Sequence, residues 1–272
     1  MIIPSRTSRK SGLAIAFLLT MAASMFAADV IKVFILAGQS NMEGKVQSKL
    51  MEHQASDPKT KDLFKHWRKD DDWIVRDDVW IKFLGKHGGL TKGYGSGDRT
   101  GVELEFGNVV GNHFDEPVLL IKAAWGGHSL VKNFRPPSAG LPDESFLKDE
   151  LEKAQKRVTN SNEKRNRNEA LPTMDDIKSA YGLSYRNMLG EVKDTFENYE
   201  TLFPSLKGKT LEIAGFVWFQ GWNDQYNGAE KAYGANMEQF IDNVRTDLNS
   251  PGLPFVIGVM GQNGSKPAKG AM

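Results

Sequence analysis

The chain contains no cysteine, and its 35 lysines and arginines nearly balance its 34 aspartates and glutamates, which leaves a net charge of +1. The lack of cysteine excludes disulfide bonds, thiolate zinc sites and cysteine nucleophiles. The lack of excess positive charge gives no electrostatic reason to expect a nucleic-acid partner. With 272 residues, of which 40% are hydrophobic, the chain can form a globular protein with one sizeable core.

Histidine is scarce toward the C-terminus. The chain has five histidines, none follows His128, and no aspartate follows Asp247. The last 25 residues therefore contain neither histidine nor aspartate. No cluster of His, Asp and Glu has convincing metal-ligand spacing, so we predict no metal and no cofactor.

The longest apolar stretch lies at the N-terminus. Arg6, Arg9 and Lys10 precede an apolar run, and small residues follow up to Ala28. This pattern predicts a signal peptide over about residues 1–28, and hence a periplasmic or secreted protein. An uncleaved membrane anchor is the alternative, but the run of roughly 16 residues is shorter than the ~20 that a spanning helix needs. We expect no stable membrane span after the leader is cleaved.

Apolar patterning after the leader predicts an α/β fold. Near-continuous apolar runs at 30–36, 117–123, 211–219 and 254–260 are typical of strands that are covered on both faces. Apolar residues spaced three and four apart predict helices over 181–196 and 233–248. Strands that alternate with helices predict a three-layer α/β/α sandwich with a mostly parallel sheet.

Residues 29–272 are interpreted as one domain that carries two irregular segments. Residues 43–114 are predicted to be an insertion, whose Trp67, Trp73 and Trp80 either stack on a sugar or, as we favour, pack a small subdomain. Residues 140–172 are predicted to form a charged excursion. Its central part, 148–169, is either a solvated helix or a disordered segment.

The first predicted strand leads into Gly38-Gln39-Ser40-Asn41-Met42. A strand that ends in a small-residue turn places the next side chain at the carboxyl edge of the sheet, where open α/β folds bind ligands. Gly38 permits a tight turn, so Ser40 can present its hydroxyl as a nucleophile. The alternative is that Ser40 only caps the following helix.

Two further loops carry groups that suit acyl transfer. The second predicted strand leads into Gly126 and Gly127, and the third leads into Gln220 and Asn223. An ester hydrolase must stabilise the oxyanion of a tetrahedral intermediate with hydrogen-bond donors. A backbone N–H of either glycine and a side-chain amide of Gln220 or Asn223 could supply such donors. Both amides could instead satisfy buried backbone groups.

The same loops contain two titratable residues, Asp224 and His128. Asp224 is better interpreted as a helix N-cap or as a hydrogen-bond acceptor for a loop than as a catalytic group. His128 is the only histidine placed to substitute as a base, but its position after two glycines suits substrate contact better.

These blocks, in this order, resemble the SGNH/GDSL-type hydrolase superfamily, and specifically its sialate O-acetylesterase-like branch. The resemblance rests on Gly-Gln-Ser-Asn-Met at 38–42, Gly-Gly at 126–127, Gln-Gly-Trp-Asn-Asp at 220–224 and Gly-Val-Glu at 101–103, and it covers residues 30 to about 260. Trp222 stands where the branch usually has glutamate. The resemblance implies a nucleophile at Ser40, an oxyanion hole at Gly127, Gln220 and Asn223, and substrate contacts at Gln39, Asn41, Glu103, Gly126 and His128.

The resemblance also implies a function and a missing part. It implies a flavodoxin-like fold and a serine-type O-acetylesterase that acts on acetylated saccharides. In the family that the chain resembles, the general base comes from an Asp-x-x-His block between a last strand and a closing helix. The sequence after residue 260 contains no such block. We therefore expect an incomplete domain: a truncated product, a partial sequence or a degenerate paralogue. A complementing partner chain is a further alternative.

Two other functions are alternatives to the esterase. A non-catalytic carbohydrate-binding protein could keep the cleft and its tryptophans without the chemistry. A nucleotide-binding domain is disfavoured, because no phosphate-binding glycine motif follows the first predicted strand.

Overall fold

A computed structural model describes residues 29–261, so the predicted signal peptide lies outside the described residues. A six-stranded sheet forms its centre, in the order β6-β5-β1-β4-β2-β3. The only antiparallel pair within this sheet is β2–β3, so the predicted mostly parallel sheet is confirmed. The strands are β1 Val30–Gly38, β2 Val79–Phe83, β3 Lys86–Gly89, β4 Val118–Ala124, β5 Thr210–Phe219 and β6 Phe255–Ile257.

The helices cover both faces of the sheet. α6 and α7 correspond to the two predicted helices, and none of the helices within residues 29–261 is long and apolar enough to cross a membrane. They are α1 Ser40–Glu43, α2 Ser48–Ser56, α3 Glu103–His113, α4 Glu144–Arg165, α5 Met174–Ala180, α6 Leu183–Leu202 and α7 Glu230–Asp247. Short 3₁₀ turns span Lys61–Trp67, Pro137–Ala139, Pro204–Leu206 and Trp222–Asp224. Two antiparallel ribbons pair Val46–Gln47 with Arg99–Thr100 and Arg68–Lys69 with Asp72–Trp73.

The core has two halves, one on each face of the sheet. Side chains of α6 and α7, such as Met188 and Phe240, pack on one face together with Ile35 of β1. Side chains of α2 and α3, such as Met51 and Leu104, pack on the opposite face. Every residue of β4 is buried, as expected for a strand covered on both sides. The three-layer α/β/α sandwich is therefore confirmed.

The segment predicted as an insertion contributes to the central sheet. It contains β2 and β3, so the sheet has two more strands than the four apolar runs predicted. β2 was missed because Lys82 interrupts its apolar pattern; its ammonium lies 2.5 Å from the Glu191 carboxylate of α6. Trp67 and Trp73 pack edge-on against Phe64, at ring distances of 5.7 and 6.1 Å, as in the packing alternative.

The charged excursion contains a long exposed helix. α4 has 22 residues, of which Leu147 alone is fully buried. It ends at Arg165, and the next residue, Asn166, has the left-handed conformation (φ 48°) that commonly terminates helices. Of the two alternatives for this segment, the solvated helix is the one observed.

Candidate active site

Ser40 lies where β1 ends at the carboxyl edge of the sheet. Gly38 has a φ of 152°, and a Cβ at this position would overlap the carbonyl oxygen of Phe219 at the end of β5. Glycine therefore lets the two strand ends come together, and the Gln39 N–H donates to that same carbonyl at 3.2 Å. Ser40 then opens α1. The helix N-cap is Gln39, not Ser40, and no side chain caps it, so the capping alternative for Ser40 is wrong.

The three predicted loops converge at this edge. The strands β4, β1 and β5 are neighbours and run parallel, so their carboxyl ends meet. The Trp125 N–H, after β4, donates to the Gly38 carbonyl at 3.2 Å. The Gln220 amide, after β5, donates to Gln39 Oε1 and to the His128 carbonyl, each at 3.1 Å.

Gln39 joins the loop after β1 to the loop after β5. Its Oε1 accepts hydrogen bonds from the backbone N–H groups of Gly221 (3.4 Å) and Asn223 (3.2 Å) and from the Gln220 amide. Backbone N–H groups can only donate, so they fix the orientation of the Gln39 amide. The side chain is only 1% exposed. The structure therefore places Gln39 beneath the surface that a substrate would reach, contrary to the prediction.

Asn223 receives its orientation from Gln39. The Gln39 Nε2 donates to Asn223 Oδ1 at 3.0 Å and lies 3.5 Å from Ser40 Oγ. The Asn223 NH₂ group consequently points away from Gln39, and within residues 29–261 it has no hydrogen-bond partner. The backbone N–H of Gly127 is also unpartnered in the described part of the chain, and nothing crowds that glycine, whose φ is 81°. These two groups can serve as oxyanion donors.

Gln220 does not fit the predicted oxyanion role. It is 4% exposed, and its NH₂ group faces three acceptors: Gln39 Oε1, the His128 carbonyl and Asp224 Oδ2 at 2.5 Å. The two amide hydrogens are already fewer than these three acceptors, so none remains for a substrate. Gln220 instead connects the three loops internally.

Asp224 is the hydrogen-bond acceptor that the sequence suggested. Its fully buried carboxylate accepts from the backbone N–H groups of Leu130 (2.8 Å) and Val131 (2.7 Å). Burial raises the pKa of Asp224, and these donors together with Gln220 oppose the rise. The carboxylate thereby attaches the loop after β4 to the loop after β5.

Glu103 lies away from any surface that a substrate could reach. It is 0% exposed, and its carboxylate is 2.6 Å from the equally buried Lys122 ammonium. Burial raises the pKa of Glu103 and lowers the pKa of Lys122, and each charge opposes the effect on its partner. Lys122 also donates to the carbonyls of Glu43 (2.9 Å) and Tyr94 (2.8 Å). The predicted substrate contact at Glu103 is replaced by a buried ion pair that supports the end of α1.

The remaining predicted residues lie at or near the surface of the protein. Asn41 and Gly126 are exposed, and His128 is half-buried. The His128 ring stacks on Trp125 at 6.0 Å, and its Nδ1 lies 2.7 Å from the hydroxyl of Ser184. Sequence reasoning missed Ser184, since a serine at the start of α6, 56 residues away, carries no local signal of this contact.

No base contacts the Ser40 hydroxyl in the part of the chain that the structure describes. Its one side-chain partner there is Gln39. Sequence reasoning also overlooked Glu43, whose carboxylate lies against Gly126 and pairs with Lys45 at 2.7 Å. Residues 29–261 contain no group of three or more His, Asp or Glu side chains that could hold a metal ion.

The family model for carbohydrate esterases described as sialic acid-specific acetylesterases matches residues 30–169 and 177–271. Among solved structures, a protein from Arabidopsis thaliana is 17% identical, with 87% of this chain and 76% of that chain covered and a TM-score of 0.46. A carbohydrate acetylesterase from Xanthomonas citri is 15% identical, with 83% and 41% covered and a TM-score of 0.44. NanS is 14% identical, with 87% and 69% covered and a TM-score of 0.47.

No curated protein sequence matches the chain significantly. The family model nevertheless spans most of it and includes all three loops of the site. The protein therefore belongs to the carbohydrate esterase family of sialic acid-specific acetylesterases.

Proposed function

We propose that this protein hydrolyses acetyl esters on saccharides, with Ser40 as the nucleophile. The observation that carries the proposal is that Gln39 Nε2 lies both 3.5 Å from Ser40 Oγ and 3.0 Å from Asn223 Oδ1, while the NH₂ group of Asn223 is unpartnered within residues 29–261. The substrate class follows from the family to which the chain belongs.

The proposed reaction proceeds through an acetyl-serine. Ser40 Oγ attacks the acetyl carbonyl carbon, and the carbonyl oxygen becomes an oxyanion held by the Gly127 N–H and the Asn223 NH₂ group. The ester C–O bond then breaks, and the departing sugar oxygen takes the proton that the serine lost. In a second step water attacks the acetyl-serine, the bond between the acetyl carbon and Ser40 Oγ breaks, acetic acid is released and a proton from the water returns to Oγ. Asn41, Gly126 and His128 are proposed to face the sugar.

A second candidate function is a non-catalytic carbohydrate-binding protein. One observation favours it: no imidazole or carboxylate contacts the Ser40 hydroxyl among the described residues. A serine hydroxyl without a base is a poor nucleophile at neutral pH. Loss of a triad member typically lowers the rate by about 10⁴-fold or more, so turnover through Ser40 alone is expected to be slow.

A serine-directed fluorophosphonate separates the two candidates. We expect mass spectrometry to find the label on Ser40, and Ser40→Ala to abolish both labelling and p-nitrophenyl acetate hydrolysis. Ser48→Ala is a matched control, because Ser48 also follows a glutamine and opens a helix but is buried against Asp98. That variant should label like the wild type.

Saccharide binding without labelling or turnover would support the binding protein. Labelling that persists in Ser40→Ala would contradict the assignment of the nucleophile.

We further propose that the protein is exported and that its leader, residues 1–28, is removed. Expression of the full chain in a Gram-negative host should yield a periplasmic or secreted form whose N-terminus lies near residue 29. A cytoplasmic protein that retains Met1 would contradict this proposal.

A further inference from the structure

The imidazole of His128 is held on two sides. Its ring stacks on the Trp125 indole, with an interplanar angle of 19°, and its Nδ1 lies 2.7 Å from Ser184 Oγ. The other nitrogen, Nε2, has no partner among residues 29–261, and it is not one of the buried atoms that lack a partner. Nε2 is therefore accessible to solvent, so a bound ligand can reach it.

The direction of the His128–Ser184 hydrogen bond follows from the serine. Ser184 is 1% exposed, and within the described ranges its hydroxyl has no side-chain or backbone partner besides Nδ1. If Nδ1 carried the proton and donated it, the hydroxyl hydrogen would be buried without an acceptor. If the hydroxyl donates to Nδ1, both groups are satisfied. The arrangement with an unsatisfied buried donor is expected to be populated at least roughly tenfold less than the other. The Ser184 hydroxyl therefore donates to Nδ1.

The charge state of His128 follows from its surroundings. Burial lowers the pKa of His128, and the nearby Glu43 carboxylate on α1 opposes this only in part. Glu43 is itself paired with Lys45 at 2.7 Å. The ring is accordingly neutral at neutral pH. A neutral imidazole carries one N–H, and with Nδ1 accepting from Ser184 that N–H is on Nε2.

We propose that Ser184 fixes His128 as an Nε2–H donor, which hydrogen-bonds an oxygen of the bound acetylated saccharide and does not act as the general base. Ser184 is a positioning residue, because it acts through the imidazole and does not touch the ligand. The identity of the ligand rests on the proposed function, whereas the tautomer does not.

Long-range proton–nitrogen NMR spectra of histidine-labelled protein test the tautomer directly. The chain has five histidines, and the signals lost in His128→Gln identify the ring of interest. We expect the Nε2–H pattern in the wild type and in Ser184→Thr, which keeps the hydroxyl. Ser184→Ala should give a mixture, with the tautomer ratio shifted by roughly tenfold. An Nδ1–H pattern in the wild type would overturn the proposal.

Ligand binding tests the donor role without requiring turnover. In the Ser40→Ala background, titration with an O-acetylated N-acetylneuraminic acid should show that His128→Ala weakens binding roughly tenfold. His128→Gln, which keeps an N–H near the same place, should recover part of the loss. Equal affinity in all three proteins, or no binding to any of them, would overturn the contact.

Turnover separates a donor from a base. With p-nitrophenyl acetate, which has no sugar, His128→Ala with Ser40 intact should lose far less activity than removal of a general base would cause. A rate loss of about a thousandfold or more would identify His128 as the base and overturn the proposal. If Ser40→Ala keeps full esterase activity, the proposed function fails, while the NMR spectra still decide the tautomer.

Discussion

Replacing Gln39 by glutamate changes one group in the site: a carboxylate oxygen replaces the Nε2 amide group, which donates to Asn223 Oδ1 at 3.0 Å. The new carboxylate oxygen would face Oδ1, and two acceptors repel each other. Asn223 is therefore expected to rotate its amide, so that the NH₂ group points toward residue 39 and the oxygen points toward the proposed oxyanion position. The oxyanion would then lose a donor and meet an acceptor in its place.

The size of this effect follows from the loss of one oxyanion donor. One oxyanion donor contributes about 3 kcal/mol, so Gln39→Glu should slow acylation of Ser40 by roughly a hundredfold to a thousandfold. The fold should survive, because the N–H groups of Gly221 and Asn223 still point at the carboxylate. The buried charge is expected to reduce the free energy of unfolding by about 1–3 kcal/mol.

The assay is the second-order rate constant for fluorophosphonate labelling of the wild type, Gln39→Glu, Asn223→Ala and the double variant. Because both changes remove the same donor, the double variant should label about as slowly as either single variant. Thermal unfolding shows that each protein is folded. Labelling of Gln39→Glu at the wild-type rate, or a loss in the double variant equal to the product of the single losses, would refute the reasoning.

Two further predictions concern stability. Lys122→Met should lower the free energy of unfolding by about 3–5 kcal/mol in urea titrations, because it leaves the Glu103 carboxylate buried without its partner. Adding Glu103→Leu should restore part of the loss. A double variant that is no more stable than Lys122→Met would contradict this prediction. The guanidinium of Arg76 holds the pKa of Asp78 below its ordinary 3.8, so this pair stabilises the fold above that pH and loses its effect as the pH falls through the folded-state pKa. Asp78→Asn should therefore be less stable than the wild type at pH 7, with a difference that shrinks in titrations below pH 3.8; a difference that stays constant or grows would contradict the assignment.

The predictable elements of the fold are those whose burial produces a simple apolar pattern in the sequence. β4 is buried along its whole length, and its apolar run showed this, as did the spacing of apolar residues in α6 and α7. β2 was not predictable, because Lys82 makes the segment look like a charged loop. Its ammonium is paired with Glu191 and Asp194 of α6, more than a hundred residues away, which no local pattern indicates.

The composition of the site was more predictable than its geometry. The sequence indicated which three loops meet, because strand order and turn residues determine where they end. It could not indicate the direction in which each amide points. Gln39 and Gln220 have the same side chain as a substrate-binding glutamine, and only their buried partners show that they connect loops. Glu103 likewise looks like an active-site carboxylate in the sequence. Only its contact with Lys122, a lysine within the apolar strand β4, shows that it belongs to a buried ion pair. The roles of Ser40, Gly127 and Asn223 stay predictions.

The most direct test of the account is a crystal structure of the protein after reaction with a fluorophosphonate. Its phosphoryl oxygen stands in for the oxyanion. We expect the phosphorus on Ser40 Oγ and that oxygen about 3 Å from both the Gly127 nitrogen and the Asn223 Nδ2. An adduct whose oxygen points away from both groups, or a protein that forms no adduct at Ser40, would contradict the claim that these loops form an acyl-transfer site.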